Sequence, residues 1–374
     1  MTRYAHVTGW GMAVPQKILT NQQLEEMVDT TAEWIASRTG IQERRIASDH
    51  ESTFTLALGA AQNALKSTTL DPNDIQLIIV ASASPDHIFP ATACLVQDSL
   101  GAINAGAFDL SAACTGFIFG LNMAAQAIRS GSLDNAIVIG AETLSRIVNW
   151  EDRNTCILFG DGAGAFVLQA SETPGGILSC VMRSDGSGAD LLSLPAGGSR
   201  YPASQKTLDQ KLHTIHMNGR EVFRFATREM ASATREATNI AGLSLDDIEL
   251  IIPHQANSRI IEAAARGLRV PMDRIMMNIA KYGNTSSASI PLAVCDAIDQ
   301  DRIHPGDHLV LVGFGAGLTW GALVMQWVEA EREIAPTRRL RRMVIVLFAR
   351  LRSLVLRLLR RLEGLIWGAS SKRN

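Results

Sequence analysis

One cysteine of this sequence lies where a strand would turn into a helix. Residues 105–131 read AGAFDLSAACTGFIFGLNMAAQAIRSG, in which GAFDL resembles a strand, ACTGF a turn of small residues and the remainder a helix. This order places Cys114 at or near a helix N-terminus. Free N–H groups and the helix dipole there stabilise an anion, lower the pKa of a thiol and favour the nucleophilic thiolate. Cys114 is therefore a candidate nucleophile, although a small buried core cysteine would fit the same segment.

A histidine and an asparagine are the next candidates. His254 follows a predicted buried strand in DIELIIPHQAN and precedes a predicted helix, a position where α/β enzymes place catalytic groups. Asn284 lies in KYGNTSSASIP, where a turn opens a helix. Taken one at a time, a surface loop explains His254, and a turn or helix cap explains Asn284.

The glycine-rich run LVLVGFGAGLTWGAL (309–323) follows another predicted strand. Such a loop lets backbone N–H groups approach a ligand closely. It lacks the GxxxxGK[ST] pattern of a phosphate loop and the strand–GxGxxG–helix context of a dinucleotide site, so we expect neither. The sequence also has no CxxC pair and no Cys/His cluster at metal-ligand spacing, so we predict no metal.

Strand and helix patterns alternate along the first 330 residues. Apolar runs of strand length lie at 75–81, 136–141, 163–168, 248–252 and 309–313. Helical patterns lie between them, at 53–68, 115–130, 219–241, 257–268 and 287–301. This alternation predicts a layered α/β fold.

The two halves of the chain echo each other. DIQLII at 74–79 is repeated as DIELII at 247–252, and 135–141 (NAIVIGA) is echoed by 308–316 (HLVLVGFGA). Because order and spacing both repeat, we interpret the echo as a duplication, with chance similarity of two α/β units as the alternative. The halves would meet near SETPGGIL, and the Gly- and Ser-rich residues 182–218 would cover the site.

Size and composition limit the function classes. The 374 residues are 47% hydrophobic and 19% charged, which favours two closely packed globular domains and excludes extensive disorder. The five cysteines are widely spaced, so a disulfide framework is not expected and a reducing cytoplasm is the predicted location. The N-terminus carries no export signature.

The C-terminal residues differ sharply in charge from the rest. Residues 332–374 contain twelve Lys/Arg against two Asp/Glu, a charge of +10, and the net charge of −2 leaves −12 for residues 1–331. Over 338–367, a helix would place on one face the arginines Arg339, Arg342, Arg350, Arg357, Arg360 and Arg361. The opposite face would carry Leu347, Leu351, Leu354, Leu358, Leu362 and Leu365.

Pro336 marks the expected start of this helix, and its apolar runs are too short to span a bilayer. Three partners stay open: an anionic membrane surface, the acidic body of the enzyme or its oligomer, and another protein. Nucleic acid is disfavoured because the arginines lie on one leucine-rich helix without interleaved aromatics.

The motifs together resemble the β-ketoacyl-acyl carrier protein synthase III family of the thiolase superfamily, over about residues 1–328. The resemblance rests on the stretches above and on four more: EWIASRTGIQERR (33–45), FPATAC (89–94), DRNTCILFGDGAGA (152–165) and NGREVF (218–223). It implies a thiolase-like duplicated αβαβα layered fold. We expect the cysteine in an N-terminal half (1–173), the histidine and asparagine in a C-terminal half (174–330), and then the basic amphipathic tail (331–374).

The resemblance implies a decarboxylative condensation in two stages that initiates fatty acid biosynthesis. Cys114 would take an acyl group from coenzyme A, and malonyl-acyl carrier protein would then lose carbon dioxide and attack the acyl-cysteine. His254 and Asn284 would donate hydrogen bonds to the malonyl thioester oxygen, and the backbone N–H groups of Cys114 and Gly315 would form the oxyanion hole. No cofactor is implied beyond the coenzyme A thioester, which is a substrate.

The resemblance also suggests binding residues and partners. Trp34, Arg38 and Arg153 would meet the adenine and phosphates of coenzyme A, although a core tryptophan and surface arginines fit the same pattern. The other residues that it implies are Phe223 and Asn257 for the coenzyme A tunnel, Phe89 for the acyl pocket across a homodimer, and Arg259 for the acidic carrier protein. Ala316 departs from the glycine that is common in the family, and would be strained if its φ had to be positive.

Other readings stay open at this stage. The nearest is a related thiolase-fold condensing enzyme that uses another acyl donor in secondary metabolism or hydrocarbon synthesis. A degradative thiolase is disfavoured because GFGAG contains no second cysteine. A cysteine hydrolase would fit a Cys/His/Asn set but not the duplication, and a non-catalytic scaffold recruited by the tail would not need that set. The predicted location is cytoplasmic, with peripheral attachment at the inner face of the membrane as a variant.

Overall fold

The computed structural model describes residues 2–328 and 336–370 of the chain. Its strands are β1 (Tyr4–Ala13), β2 (Ile18–Thr20), β3 (Glu43–Arg45), β4 (Leu77–Ala81), β5 (Gly106–Leu110), β6 (Asn135–Thr143), β7 (Asp161–Ser171), β8 (Gly176–Ser184), β9 (Leu192–Ser193), β10 (His216–Met217), β11 (Leu250–Pro253), β12 (His308–Gly315) and β13 (Thr319–Gln326). The α-helices are α1 (Asn21–Glu25), α2 (Ala32–Thr39), α3 (Thr53–Lys66), α4 (Thr92–Leu100), α5 (Gly116–Arg129), α6 (Arg153–Cys156), α7 (Gln205–Asp209), α8 (Gly219–Ile240), α9 (Ser258–Leu268), α10 (Ile279–Tyr282), α11 (Ser289–Asp299) and α12 (Pro336–Ser370).

Local sequence sets the ends of these elements. The Ser52 hydroxyl accepts a hydrogen bond from the N–H of Thr55 and begins α3, while Gly40, with φ of 78°, ends α2 in the left-handed region. The strands and helices predicted from apolar patterns are all present, with ends within three residues of those expected. The patterns predicted only those elements, and strands such as β1, β8 and β13 were not anticipated.

Two sheets carry the duplication. The larger has the order β1-β7-β6-β4-β5, in which β5 and β6 both pair with β4 in parallel and the remaining pairs are antiparallel. The smaller has the order β11-β12-β13-β8, with one parallel pair followed by two antiparallel pairs. The echoed segments are β4 with β11 and β6 with β12, and they occupy equivalent places in the two sheets. The predicted duplicated fold is thereby confirmed.

The layers follow from which faces are apolar. Helices α5 and α11 lie between the two sheets, where Phe117, Leu121 and Val294 are buried in one cluster with strands of both. Helices α3 and α4 cover the outer face of the first sheet, and α8 and α9 cover that of the second. The order is therefore αβαβα, as predicted. The sheet changes between Ser171, which ends β7, and Gly176, which begins β8.

The C-terminal helix α12 begins at Pro336, as expected. Residues 331–335 and 371–374 of the predicted tail lie outside the described residues, as do the side chains of Arg339, Arg350 and Leu365. Arg342 does not lie on a solvent-facing basic surface, because its guanidinium is buried against the body of the enzyme. None of the described helices is long and apolar enough to cross a membrane.

Candidate active site

Cys114 lies at the end of the first sheet, between β5 and α5. A 3₁₀ turn, Ala113–Thr115, leads into α5, which begins at Gly116. Ala113 has φ of 46°, a conformation that costs energy in a residue with a Cβ and persists where the surroundings enforce it. The Thr115 hydroxyl donates to the Ala112 carbonyl (2.7 Å) and lies 2.9 Å from Thr319 Oγ1, whose hydroxyl can donate to it. The nucleophile turn is thus tied to β13 of the opposite half.

His254 follows β11, and its imidazole contacts the hydroxyl of Ser289. Its backbone N–H donates to the Val312 carbonyl at 2.7 Å, and its ring nitrogen Nδ1 lies 2.6 Å from Ser289 Oγ. Ser289 Oγ accepts the Gln255 N–H at 3.4 Å, so its own hydrogen can be donated to Nδ1. In the tautomer in which Ser289 donates to Nδ1, the proton of the neutral imidazole resides on Nε2, which makes Nε2 a donor. Ser289 belongs to the segment KYGNTSSASIP, but residue spacing alone could not predict its contact with the imidazole of His254.

Asn284 is fixed by backbone contacts with a neighbouring loop. Its N–H donates to the Leu158 carbonyl at 2.8 Å, and its carbonyl accepts the Gly160 N–H at 3.0 Å. Gly283 has φ of 63°, and a Cβ there would lie 2.9 Å from the Leu158 oxygen, so this turn requires glycine. Asn284 Oδ1 accepts the Ser286 N–H at 2.9 Å. Its Nδ2 is therefore the group that can donate to a substrate.

One cavity of about 350 Å³ collects most of the predicted site residues. Cys114, His254 and Asn284 all line it, although they come from distant parts of the sequence. Also in its wall are Trp34, Arg38, Phe223, Asn257 and Gly315. Leu192 and Met217, from the excursion 182–218, contribute as well. The cavity therefore joins the candidate nucleophile to the residues predicted for coenzyme A.

Two arginines flank the tryptophan of this cavity. The guanidinium carbons of Arg153 and Arg38 lie 5.5 and 6.0 Å from the Trp34 ring centroid. Arg153 forms an exposed ion pair with Asp29 at 3.6 Å and stands beside the cavity wall, which includes Asn154. An indole bracketed by two cations is suited to a flat, electron-rich ring with phosphates attached.

Asn257 has a structural role in addition to its place in the wall. It caps α9, because its Oδ1 accepts the Arg259 N–H at 2.9 Å. Its Nδ2 donates to the Arg38 carbonyl at 3.0 Å. The side chain of Arg259 is exposed on the first turn of the same helix. Asn257 therefore caps α9 and lines the cavity at the same time.

Phe89 lies away from the cavity of its own chain. It is 85% exposed, and neighbouring Ile88 is similarly exposed. Its expected role in an acyl pocket concerned a partner subunit, so a single chain does not test it.

Gly315 lies directly against the nucleophile turn. A Cβ at this position would be 2.8 Å from Cys114 N and 3.3 Å from Cys114 Cβ. Only glycine allows the two backbones to approach so closely. Ala316 is not in the left-handed region, and the positive φ of 141° belongs to Gly317. The departure at Ala316 therefore introduces no backbone strain.

The charge state of the site differs from the sequence-based expectation. Burial raises the pKa of Cys114 to about 12, with a smaller opposing effect from the Ser286 hydroxyl. The expected lowering was wrong because a helix N-terminus contributes only ~0.3–1 kcal/mol, whereas desolvation of a buried thiolate costs more. Burial likewise lowers the pKa of His254 to about 3. Thiol and imidazole are therefore both uncharged at neutral pH.

A buried carboxyl that sequence reasoning missed supports the catalytic loop. Glu142, in β6, accepts hydrogen bonds from Ser84 Oγ (2.6 Å), Ser287 Oγ (2.9 Å) and the Ala83 N–H (3.1 Å). Burial raises its pKa, and hydrogen bonds including one from Ser286 oppose the shift. Glu142 thereby joins β4 and β6 to the turn after Asn284. No sequence pattern marks a single glutamate inside an apolar strand for such a role.

Within residues 2–328 and 336–370, no group of three or more His, Cys, Asp or Glu side chains is placed to hold a metal ion. The predicted absence of a cofactor stays a prediction.

Comparison with known proteins identifies the family. The model for 3-oxoacyl-[acyl-carrier-protein] synthase III matches residues 108–186, and the model for its C-terminal part matches 239–327. The β-ketoacyl-[acyl-carrier-protein] synthase III of Roseiflexus sp. is 52% identical over 327 residues, 87% of this chain and 99% of that protein. The one of Symbiobacterium thermophilum is 54% identical over 321 residues, 86% of this chain and 97% of that protein.

Solved structures agree with these sequence matches. The crystal structure of 3-oxoacyl-[acyl-carrier-protein] synthase III from Aquifex aeolicus has a TM-score of 0.80 and 45% identity, and covers 86% of this chain and 100% of that one. Helix α12 lies outside the ranges that the two family models match. The chain belongs to the β-ketoacyl-[acyl-carrier-protein] synthase III family, thiolase-fold condensing acyltransferases of fatty acid biosynthesis.

Proposed function

We propose that this chain condenses an acyl-coenzyme A primer with malonyl-acyl carrier protein through an acyl group held on Cys114. The observation that carries the proposal is the single cavity that joins Cys114, His254 and Asn284. Three residues about 140 and 30 positions apart in sequence converge there, as a nucleophile and two hydrogen-bond donors. The family membership makes this the reaction class that best fits that geometry.

In the first stage the Cys114 sulfur attacks the thioester carbon of the acyl-coenzyme A. The thiol is uncharged at rest, so its proton passes to the coenzyme A sulfur as the new carbon–sulfur bond forms. The bond to that sulfur then breaks, and coenzyme A leaves as a neutral thiol. The negative oxygen of the intermediate would be held by the N–H groups of Cys114 and Gly315. The close backbone approach of these two residues supports this assignment.

In the second stage the malonyl thioester oxygen would accept hydrogen bonds from His254 Nε2 and Asn284 Nδ2. Loss of carbon dioxide leaves an electron pair on the adjacent carbon, which these donors stabilise as an enolate. The carbanion attacks the acyl-cysteine carbonyl, and the bond to the cysteine sulfur breaks. The sulfur departs as a thiolate and takes a proton from solvent water. A neutral imidazole suits this role, because it donates one hydrogen bond without holding a charge that must be desolvated.

We place coenzyme A along the wall formed by Trp34, Phe223 and Asn257, with its adenine beside Trp34 and its phosphates near Arg38 and Arg153. Exposed Arg259 is the proposed contact for the acidic carrier protein. The coenzyme A assignment is supported by the cavity lining and by the two cations around the indole.

We propose a homodimer formed along β5. This strand is at the edge of the five-stranded sheet, where unpaired backbone groups favour pairing with another strand. Exposed Phe108, Ile88 and Phe89 lie on or near this edge. Phe89 would then cap the acyl pocket of the partner, and Phe89→Ala would broaden the accepted chain length in an acyl-coenzyme A competition assay. Unchanged chain-length preference would remove Phe89 from the pocket.

The division into halves 1–173 and 174–330 is proposed as the domain organisation. A cytoplasmic location, with peripheral attachment to an anionic membrane through residues 338–367, is proposed as well. The exposed leucines of α12 support the attachment.

Intact-protein mass spectrometry tests the reaction. The enzyme is incubated with a panel of acyl-coenzyme A donors, and the acylated residue and preferred chain are read together. We expect one acyl group on Cys114 and none on the Cys114→Ala protein. His254→Ala and Asn284→Ala should still become acylated, but the rate at which they release carbon dioxide from malonyl-acyl carrier protein should be at least ~100-fold lower than that of the wild type. Acylation of Cys114→Ala would overturn the proposal, and a preference for unusual donors would favour the secondary-metabolism alternative.

A further inference from the structure

The N-terminal part of α12 is docked on the body through one buried arginine. The Arg342 guanidinium donates to the carbonyl oxygens of Leu65 (2.5 Å), Thr68 (2.7 Å) and Leu70 (2.7 Å) and forms an ion pair with Asp71 at 3.4 Å. These acceptors belong to the C-terminal end of α3 and the loop after it, where carbonyl groups lack helical partners and a cation is favoured.

A second contact lies farther along the helix. Ser353 Oγ donates to Asp98 Oδ2 at 2.7 Å, and Arg357 approaches the same carboxylate at 3.2 Å. Between the two contacts, Ala349 lies so close to Gly101 that a Cβ on the glycine would be 3.0 Å from the Ala349 Cβ. We call the buried and half-buried positions that face the body the inner stripe. It consists of Arg342, Ile345, Val346, Ala349, Ser353 and Leu356.

The opposite side of α12 is apolar and exposed. Nine large hydrophobic side chains, with 44–67% of their surface accessible, form what we call the outer face. They are Val344, Leu347, Phe348, Leu351, Leu354, Val355, Leu358, Leu359 and Leu362. At 3.6 residues per turn they occupy an arc of about 140° centred opposite Arg342, over a length of about 28 Å. Exposed apolar surface of this extent marks an interaction site.

Arginines border the outer face along both edges. Arg341 and Arg352 lie on one edge, and Arg357 and Arg361 lie on the other, all with exposed side chains. Arg341 and Arg357 also pair with Asp71 (3.0 Å) and Asp98 (3.2 Å) of the body. The sequence of Pro336–Ser370 contains one acidic residue, Glu363. The surface is therefore a strip of leucines between two rows of positive charge, a pattern suited to an anionic lipid surface in which acyl chains meet the leucines and headgroups meet the arginines.

A second copy of the chain fits this surface less well. Two outer faces packed together would bring the arginine rows of both helices against each other, since the edges carry no acids to pair with them. The outer face packed on the acidic body of another copy would bury carboxylates against leucines, at a cost in desolvation. A single apolar strip with cationic edges needs neither arrangement when a bilayer supplies the negative charge.

We infer that α12 is held between the enzyme and an anionic bilayer, with the inner stripe docked on the body and the outer face inserted at the headgroup level. This rests on the proposed membrane attachment and specifies its geometry. Arg342 is then an anchor to the protein, together with Arg341 and Arg357, which pair with Asp71 and Asp98 of the body. Arg352 and Arg361 are the lipid-facing cations at the two edges of the outer face. The body would be held close to the membrane by a rigid contact and not by a flexible tether.

Vesicle flotation with the full chain tests attachment. Vesicles of phosphatidylcholine containing phosphatidylglycerol are compared with pure phosphatidylcholine, and we expect at least tenfold tighter binding to the former. Leu354→Gln with Leu358→Gln should reduce this binding tenfold or more, whereas the matched inner-stripe change Leu356→Gln should leave it within about twofold. Absence of wild-type binding would overturn the proposed attachment and this geometry together. A change of oligomeric state in the double variant without lipid would instead assign the outer face to a second copy.

An environment-sensitive label separates the docked geometry from attachment alone. In a Cys94→Ser/Cys114→Ala background, which removes an exposed thiol and the cysteine of the cavity, the label is placed through Leu354→Cys in one protein and Leu356→Cys in another. On anionic vesicles, fluorescence at position 354 should shift to the blue, and fluorescence at position 356 should not change. Equal shifts at both positions, in a protein that still floats, would show that α12 leaves the body on the membrane and would refute the docked geometry only.

Discussion

Replacing Gly315 by alanine should block the first half of the reaction without unfolding the protein. The added Cβ would lie 2.8 Å from Cys114 N, 3.2 Å from Ala113 Cβ and 3.3 Å from Cys114 Cβ, whereas ordinary contacts begin near 3.4 Å. The nucleophile turn must then move by a few tenths of an ångström. That turn has little freedom, because Ala113 is already at φ of 46°.

The magnitude follows from the donors that this movement would misplace. Loss of one oxyanion-hole donor costs ~3–4 kcal/mol, or a factor of about 10²–10³ in rate. We therefore expect the acylation rate of Gly315→Ala to fall by about that factor. Gly313→Ala is the matched control on the same strand, since its Cβ would lie 3.5 Å from His254 Cβ, an ordinary contact. It should acylate at a rate close to that of the wild type.

The assay is the burst of acyl-cysteine formation in rapid-quench experiments, with intact mass as the readout and saturating acyl-coenzyme A. Thermal unfolding of both variants controls for misfolding. If folded Gly315→Ala acylates within about threefold of the wild type, the assigned oxyanion hole is wrong. If Gly313→Ala loses as much rate as Gly315→Ala, the loss reflects general crowding of the strand and the close approach to Cys114 is not its cause.

Three further variants test charge and packing. Burial lowers the pKa of His254 to about 3, so the stability that its neutral imidazole contributes is present above pH 6.5 and lost as pH falls towards 3. Between pH 6.5 and 5, the free energy of unfolding in urea should fall by ~1.5–2 kcal/mol more for the wild type than for His254→Gln. Equal losses in the two proteins would disprove the buried neutral imidazole. In Glu142→Gln, an amide N–H would replace one carboxylate oxygen and face N–H and hydroxyl groups that now donate to Glu142. Calorimetry should therefore report a free energy of unfolding lower by ~1–3 kcal/mol. An unchanged free energy of unfolding would show that the carboxyl is protonated and donates a hydrogen bond. Arg342→Leu should lower the free energy of unfolding by ~2–4 kcal/mol, because it leaves Asp71 buried without that partner. The control Arg357→Leu, which removes an exposed ion pair, should lower it by less than ~1 kcal/mol. Equal small effects would mean that α12 is not docked on the body.

The sequence predicted the fold well because the strands that matter are buried on both faces. Continuous apolar runs such as 75–81 and 309–313 are strong signals, and their repeated spacing revealed the duplication. β13 was missed because it is interrupted by glycine and begins within a glycine-rich loop, so its run reads as a turn. Its place became clear only from pairing with β12 and β8.

The sequence also predicted residues that line one cavity of the structure, but it did not predict their charge states. Motif order identified Cys114, His254 and Asn284, because each stands at the end of a recognisable strand or turn. Their pKa values depend on burial by the opposite half of the molecule, which local sequence does not encode. The same limit applies to α12, where a helical wheel gives two faces but not which one meets the body. The buried position of Arg342 resolved that question.

The uncharged state of the cysteine and histidine has a consequence for how the two halves share the reaction. A thiolate–imidazolium pair would make His254 essential for forming the nucleophile. Here burial opposes charge on both groups. In the tautomer in which Ser289 donates to Nδ1, the imidazole proton is on Nε2, which can then donate but cannot accept. The negative charge that develops on the thioester oxygen during acylation must therefore be stabilised by backbone N–H groups near Cys114. We expect His254→Gln to acylate at nearly the wild-type rate while failing at decarboxylation, because its donor is needed only for the malonyl oxygen. If rapid-quench kinetics show His254→Gln to be as slow in acylation as Gly315→Ala, the imidazole accepts the thiol proton, and its tautomer in the resting enzyme is the reverse of the one that Ser289 dictates.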